Sequence, residues 1–402
     1  MSVTLVVGAL APYTHRLFEA VAERLPVPLH VLTCTGIEPH RQWQFPTPKN
    51  YQKHELSGLK WHRSYHSHAY FNPGVINQLH TLDPQVVCIG GFSPTMMLAG
   101  AWARATNRRR GLTTDGRRDM DPGERSYVHW AMRKLIVPRA HFGIAASQES
   151  AALLAQYGLE TTKSAITPIV VPWDPPAPLP GYDERPFDLH FCGALRDYPK
   201  GSIFFARTVA KLQEDRIAAG DTTPVKVRIT GDGPDRAQME TMLQDAGVEA
   251  QFDGFLNGAD LRAAYSSAKV FAFPSRGDPW GLVANEAIQC GTPVLGSVHA
   301  TSSAELVTPY EVGQVRPLRD DQWVTAMHTM LDDRATWEEM HARCVRAART
   351  FTVDTSARAM SNALIAQLNR PARSPRPVHA PRDTAAVKSE GSTAVPAPRL
   401  HS

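Results

Sequence analysis

At 402 residues the chain exceeds a single small module and suits two domains of about 100 to 200 residues each. Apolar residues make up 43% and charged residues 20%, ordinary globular usage that excludes a wholly disordered or fibrous protein. The formal charge of +4 resides in residues 369–402, where six basic side chains stand against two acidic ones; the remainder is neutral, and a nucleic-acid-binding core is not expected.

The N-terminus, MSVTLVVGALAPYTHR, has neither a basic leader nor a small-residue cleavage site, and no run of about 18 apolar residues occurs, which predicts a soluble, cytoplasmic protein. From there short apolar, β-rich runs alternate with helix-length segments, the signature of βα units stacked around parallel sheets. Strands are predicted at 3–7, 29–34, 86–89, 111–114, 142–146 and 165–171, with helical patterns such as HRLFEAVAERL and PTMMLAGAWARAT between them. Residues 172–186 are too rich in proline for a helix or a central strand and read as a linker. The alternation then restarts through FDLHFCGA, VKVRITG, AQFDG, KVFAFPS and TPVLGS. DQWVTAMHTMLDDRATWEEMHARCVRAARTF reads as two helices and TSARAMSNALIAQL as a third. The fold class expected is α/β: two Rossmann-like, doubly wound parallel-sheet domains, 1–171 and 187–350, with a ligand cleft between them at the strand C-terminal ends. A helix at 351–368 follows, and 369–402 is a basic, proline-rich tail too poor in apolar residues to order itself.

Cys34, Cys88, Cys192, Cys290 and Cys344 are odd in number, scattered and without CxxC, so they read as reduced core residues and not as a disulfide or zinc framework. The histidines form no HExxH or clustered set, and no bound metal or other cofactor is expected. No GxSxG nucleophile elbow and no GK[ST] P-loop is present, and in GDGPDR the third glycine of a dinucleotide fingerprint is replaced by Arg236.

The most informative window is FAFPSRGDPWGLVANEAIQCGTPVLGSV. A strand ends at Pro274 and Ser275, and a helix runs to a stop at Gly291. Asp278 on the loop and Glu286 inside the helix stand on the order of 12 Å apart at 1.5 Å per residue, further than the roughly 5 to 9.5 Å of a glycosidase carboxyl pair. They suit the two ends of an extended ligand whose middle lies over the helix N-terminus at Trp280, Gly281 and Leu282, where free amides and a positive dipole end favour a diphosphate. The plain alternative is an acidic cap and a solvated glutamate. Lys200 and Arg196, on the loop after FDLHFCGA, precede a helix, where cations oppose the dipole unless an anion binds. Gly193 and Gly231 end strands nearby. In the first half, Tyr13, His15 and Asp115 lie at predicted strand C-terminal ends and are expected on the cleft.

The series FCGAL with YPKG, ITGDGP, AQFDGFL, DLRAAYSSAKVFAFPS and the paired acids resembles the signature of glycosyltransferase family four, retaining enzymes of GT-B fold that use nucleotide-sugar donors. APYTHRLFEAVAERLPVPLHVLTC and QVVCIGGFSPTMMLAGAWAR resemble transferases of bacterial surface and exopolysaccharide assembly more loosely. The resemblance implies transfer of a sugar, with retention, from a nucleotide diphosphate sugar to a saccharide or lipid-linked saccharide. Lys200 would neutralise the diphosphate, Glu286 would bind the ribose, and Asp278 would stand near the sugar, where the family usually has Glu. The C-terminal helix would return to the first domain. Ala194 occupies the place of a phosphate-binding Arg, and HATSSAELV the place of a Gly-rich segment; these departures keep open a weakly active nucleotide-binding scaffold of a polysaccharide assembly complex, and an epimerase on the same fold is a third reading. Between Arg104 and Arg139 ten basic residues face four acidic ones, a local +6 that is expected to favour peripheral association with an anionic membrane surface.

Overall fold

A computed structural model describes residues 1–36, 46–64, 67–175 and 178–370. The first sheet is built from β1 (Val3–Val7), β2 (Leu29–Thr33), β3 (Gln52–Glu55), β6 (Val86–Gly90), β7 (Arg109–Thr114), β8 (Phe142–Ala145) and β9 (Ser164–Ile166), while β4 (Leu59–Ser64) and β5 (Ser67–Phe71) form a separate antiparallel hairpin. Its order is β3-β2-β1-β6-β7-β8-β9, all parallel, so the order reverses between β1 and β6. Covering it are α1 (Pro12–Ala22), α2 (Val75–Leu82), α3 (Pro94–Ala105), α4 (Tyr127–Ile136) and α5 (Gln148–Gln156).

The second sheet runs β12-β11-β10-β13-β14-β15, from β10 (Phe187–Cys192), β11 (Lys226–Thr230), β12 (Glu249–Gly254), β13 (Ala268–Phe273), β14 (Val294–Ser297) and β15 (Gly313–Arg316), with its reversal between β10 and β13. Around it lie α6 (Asp197–Lys200), α7 (Ser202–Ala218), α8 (Arg236–Asp245), α9 (Gly258–Ser266), α10 (Leu282–Gln289), the single turn α11 (Thr308–Tyr310), α12 (Asp320–Asp332) and α13 (Arg334–Ala348). Parallel strands buried on both faces read as near-continuous apolar runs, which is why VTLVV and AKVFAF are legible as strands. The two-sheet α/β architecture of the GT-B type is therefore the fold.

Two expectations are corrected, and one segment gains a feature. The strand expected at 165–171 is only Ser164–Ile166, because Pro168 interrupts the ladder. The segment Ala11 to His15 is not a strand-end loop: Pro12 occupies the first position of α1 and the Thr14 hydroxyl accepts from the Ala11 amide at 2.8 Å, so Tyr13 and His15 already lie in the helix. The linker ends in an anchor. Arg185, 2% exposed, donates to the carbonyls of Pro180, Ala268, Cys290 and Gly291 and to Thr292 Oγ1, and its guanidinium lies 5.2 Å from the centre of the Trp337 ring.

The last helix, α14 (Val353–Leu368), leaves the second domain and packs on α1. Its Ala357, Met360 and Leu364 belong to the same buried cluster as Val3, Leu5, Phe18 and Val86, so the first domain's core is completed by the far end of the chain. The Ser356 hydroxyl donates to the Pro168 carbonyl at 2.9 Å, and Asp354 pairs with Arg24. All five cysteines are free; four are buried and Cys192 is half-buried. Residues 371–402, most of the expected tail, lie outside the described residues.

Candidate functional site

The reversal of strand order between β10 and β13 places their C-terminal ends side by side, and the loops that follow carry the site. After β10 come Gly193 and the short turn α6; after β13 come Pro274 to Gly281 and then α10. Gly201 joins α6 to α7 in the left-handed conformation, with φ +76°, and a Cβ there would meet the Pro274 carbonyl oxygen at 2.1 Å. The two loops can approach each other only through that glycine.

Their approach brings Lys200 to Asp278. Lys200 Nζ donates to Asp278 Oδ2 at 2.7 Å, with the two side chains 23% and 14% exposed. The Lys200 stem passes Gly193, where a Cβ would stand 3.7 Å from Lys200 Cδ. Gly231 faces Gly193 directly: a Cβ on it would meet the Gly193 carbonyl oxygen at 1.9 Å, so its lack of a side chain serves the packing of the two loops. Arg196 is exposed; its carbonyl accepts from the Lys200 amide at 3.2 Å, but among the described residues no side-chain hydrogen bond or ion pair joins its guanidinium to Lys200 or Asp278. The second cation by the site is Arg276, which sequence reasoning passed over. It pairs with Asp197 at 3.0 Å, and its amide donates to the Pro199 carbonyl at 2.7 Å; its place two residues before Asp278 was the available signal.

Gly281 precedes α10 with φ +92°. A Cβ there would lie 2.6 Å from Ser302 Oγ and 2.7 Å from the Phe273 ring, so this glycine is required by the protein interior and not by the approach of a ligand. Among the described hydrogen bonds the amides of Gly281, Leu282 and Val283 donate to no carbonyl, which leaves the positive end of α10 open. Trp280 is 3% exposed and donates from Nε1 to Asn285 Oδ1 at 2.9 Å, while Asn285 Nδ2 donates to the Ile169 carbonyl at 3.3 Å. The Trp280 ring thus ties the helix start to the end of the first domain, and only its backbone is placed for a ligand.

Glu286 is not a solvated side chain on an outer helix face. It is half-buried and accepts a hydrogen bond from the Tyr265 hydroxyl at 2.7 Å. Burial pushes its carboxyl up to about 7, with the Tyr265 bond pulling the other way. Tyr265 packs edge-on against His190 at 4.8 Å, and burial holds that imidazole down to about 3, so it is neutral. His190 Nε2 meets Thr230 Oγ1 at 3.0 Å.

On the first-domain side, Asp115 follows β7 and opens onto the cleft. Enclosure by the cleft walls, reinforced by the Asp278 charge, raises its carboxyl above the ordinary range. His15 does not face the cleft. It is 6% exposed, with Nδ1 2.8 Å from the Tyr51 hydroxyl, and burial lowers its pKa. Tyr13, earlier in α1, is half-buried. Two side chains that the sequence reading missed join the domains. Arg117 donates to the His299 carbonyl at 3.0 Å while holding Asp119 through both nitrogens. Glu305, within HATSSAELV, accepts from the amides of Gln148 and Glu149 at 3.0 and 3.1 Å, capping α5 from the other domain. Among the described residues no three His, Cys, Asp or Glu side chains gather as a metal-ligand set, and no helix is long and apolar enough to cross a membrane.

The family described as "Glycosyl transferases group 1" matches residues 180–351. The chain is 31% identical over 162 residues to a sulfoquinovosyl transferase of Arabidopsis thaliana, which is 39% of this chain and 29% of that protein. It is 27% identical over 230 residues, 52% of each chain, to a D-inositol 3-phosphate glycosyltransferase of Pseudarthrobacter chlorophenolicus. The first curated relatives are thus matched over less than a third of their own length. Among solved structures, Anabaena HepE in complex with UDP superposes with a TM-score of 0.70 at 15% identity, covering 91% of this chain and 100% of that one. The lipopolysaccharide outer core galactosyltransferase WaaB in its apo form gives 0.67 at 12% identity, with 91% and 100% covered. At these identities the structural likeness concerns the fold.

Proposed function

With residues 180–351 a group 1 glycosyltransferase domain and the two-sheet architecture of GT-B type, we propose that the protein moves a sugar from a nucleotide diphosphate sugar to a saccharide or lipid-linked saccharide, with retention at the anomeric carbon. The observation that carries this reading is the grouping of the Lys200–Asp278 pair, the open amides of α10 and the half-buried Glu286, all on loops and a helix that follow adjacent strands of one sheet. A cation and a helix N-terminus suit a dianion, and two carboxylates suit the hydroxyls of polyols attached to it. Glu286 accepts from the ribose hydroxyls. Lys200 exchanges its carboxylate partner for the diphosphate and stabilises the charge that builds there as the sugar leaves. Asp278, so released, turns to the sugar hydroxyls, and Asp115 meets the acceptor from the other wall.

In this reading the diphosphate charge is met by Lys200 and backbone amides without a bound metal, and turnover persists in EDTA. The HepE complex with UDP and the surface-polysaccharide transferase among the structural relatives support a uridine nucleotide and a role in surface polysaccharide assembly. The basic stretch from Arg104 to Arg139 supports work at the inner face of a membrane. The test is a panel of nucleotide sugars with saccharide acceptors, following both free nucleotide and labelled product. Stoichiometric release and transfer supports the reading. Nucleotide binding without turnover across the panel means a scaffold, and conversion of the donor without acceptor means an epimerase.

A further inference from the structure

Helix α4 is turned inside out with respect to water. Of its ten residues the only fully buried one is Arg133, whose guanidinium pairs with Asp121 at 2.7 Å and lies 4.5 Å from the centre of the Phe92 ring. At 100° per residue, the side away from Arg133 presents Lys134, Tyr127, Ala131, Leu135 and Val128 in angular order, and Trp130 borders it about 60° from Arg133. On that arc Tyr127 is 79% exposed, Val128 65% and Leu135 50%; Trp130 at its border is 40% exposed, its ring stacked on that of Tyr127 at 5.5 Å. An outward face with two aromatics, two aliphatics, one lysine and no acid is the composition of a helix that lies at a lipid–water boundary.

Beside this face, α3 and α4 leave an apolar pocket of about 360 Å³ over β6 and β7. Its walls include Ile89, Met97, Leu112 and Ile136; Leu135 belongs to both pocket and outward face, and exposed Arg104 and Arg139 also line it. Arg104 and Arg139 stand at the end of the sheet away from the donor loops, so the pocket is separate from the cleft. Exposed Arg125 and Lys134 continue the positive charge along the helix. A second copy of the chain is a poor cover for this surface. A two-fold interface would set the patch against itself, bringing like charges together.

We propose that the outward face of α4 and the adjoining pocket form one lipid-binding surface: α4 lies in the headgroup–acyl boundary of an anionic bilayer, Arg104 and Arg139 meet lipid phosphates, and the pocket takes the end of one acyl chain. This deepens the membrane-surface reading given above by naming the inserting helix and the lipid site. It does not depend on sugar transfer, since its three readouts, flotation, quenching and photolabelling, all report lipid contact.

The test uses the full chain with vesicles of phosphatidylcholine alone and of phosphatidylcholine mixed with phosphatidylglycerol. Flotation with the mixed vesicles is expected, and Tyr127→Ser/Val128→Ser/Leu135→Ser should weaken it roughly tenfold or more while the melting temperature and transfer to a water-soluble acceptor stay unchanged. Lipids brominated in the acyl chain should quench tryptophan emission, and Trp130→Phe should remove most of that quenching. A lipid carrying a photoreactive group at the acyl end should label Met97 or Ile136. Flotation unaffected by the triple variant, or quenching unaffected by Trp130→Phe, overturns insertion of α4. Labelling confined to residues 127–134 overturns the pocket as an acyl site. A dimer that dissociates in the triple variant, with no vesicle binding by the parent, shows that the face is covered by protein instead.

Discussion

Tyr265, on α9, and Glu286, on α10, are joined by a hydrogen bond of 2.7 Å that places a carboxyl with a pKa of about 7 at the nucleoside end of the proposed donor site. The ionised form accepts from ribose hydroxyls and the protonated form loses much of that capacity. Nucleotide affinity should therefore fall as pH drops through 7, and calorimetric titration between pH 5.5 and 8.5 will show it. The Tyr265 bond favours the charged carboxylate, so Tyr265→Phe should move the midpoint to higher pH. Glu286→Gln should flatten the profile and weaken nucleotide binding at pH 8.

The same shift makes a statement about stability. A carboxyl raised above its unfolded value holds an extra proton in the folded state between about 4.5 and 7. Its unfavourable contribution is absent below the lower value, grows as pH rises, and is complete above 7. Glu286→Gln should therefore raise the melting temperature at pH 8 and leave it nearly unchanged at pH 4. A melting temperature raised equally at both values would contradict the assignment.

The Lys200–Asp278 pair predicts opposite effects of its two partners on nucleotide binding. Lys200→Ala removes a charge-assisted contact of about 1.5 to 3 kcal/mol, part of it made only as the diphosphate departs, so turnover should fall further than donor affinity. Asp278→Asn frees the lysine. Nucleotide diphosphate should then bind as tightly or more tightly, while sugar transfer drops. Unchanged affinity and turnover in Lys200→Ala would remove it from the site.

Arg185 is a cation with five hydrogen-bonding partners, none of them a carboxylate, and burial holds its pKa down to about 10. Arg185→Ala would strand those acceptors and open a void beside Trp337, at a cost on the order of 3 kcal/mol. Arg185→Lys should recover little, since an ammonium cannot span the same acceptors as a planar fork. Thermal melts of the two variants test this.

Truncation after Arg373 should leave the melting temperature unchanged, because α14 ends at Leu368. Truncation after Arg349 removes Ala357, Met360 and Leu364 from the first-domain core and should lower it sharply.

The strands of both sheets were legible wherever burial on two faces made an unbroken apolar run. Gln52–Glu55 and Gly313–Arg316 escaped because they are four-residue edge strands with no fully buried residue. The hairpin formed by β4 and β5 escaped for a different reason: LKWHRS mixes basic and polar residues without a clean alternation. At the candidate site, Lys200 and Asp278 were singled out on loops after strands, and Glu286 from its place in the helix that follows. Their mutual contacts were not, since Lys200 reaches across 78 positions and Tyr265 across 21. His15 was misplaced by a single turn of backbone, although Pro12 already marked the start of its helix.

The return of α14 to the first domain bears on how the protein is made. Val3, Leu5 and Val86 share a cluster with Met360 and Leu364, so that apolar surface stays uncovered while the whole second domain is synthesised. The N-terminal half thus leaves the ribosome as an unfinished body, able to form its sheet but not to close one side of it. During that interval it exposes aliphatic surface of the kind chaperones recognise, and a nascent chain stalled before residue 353 would go on exposing it.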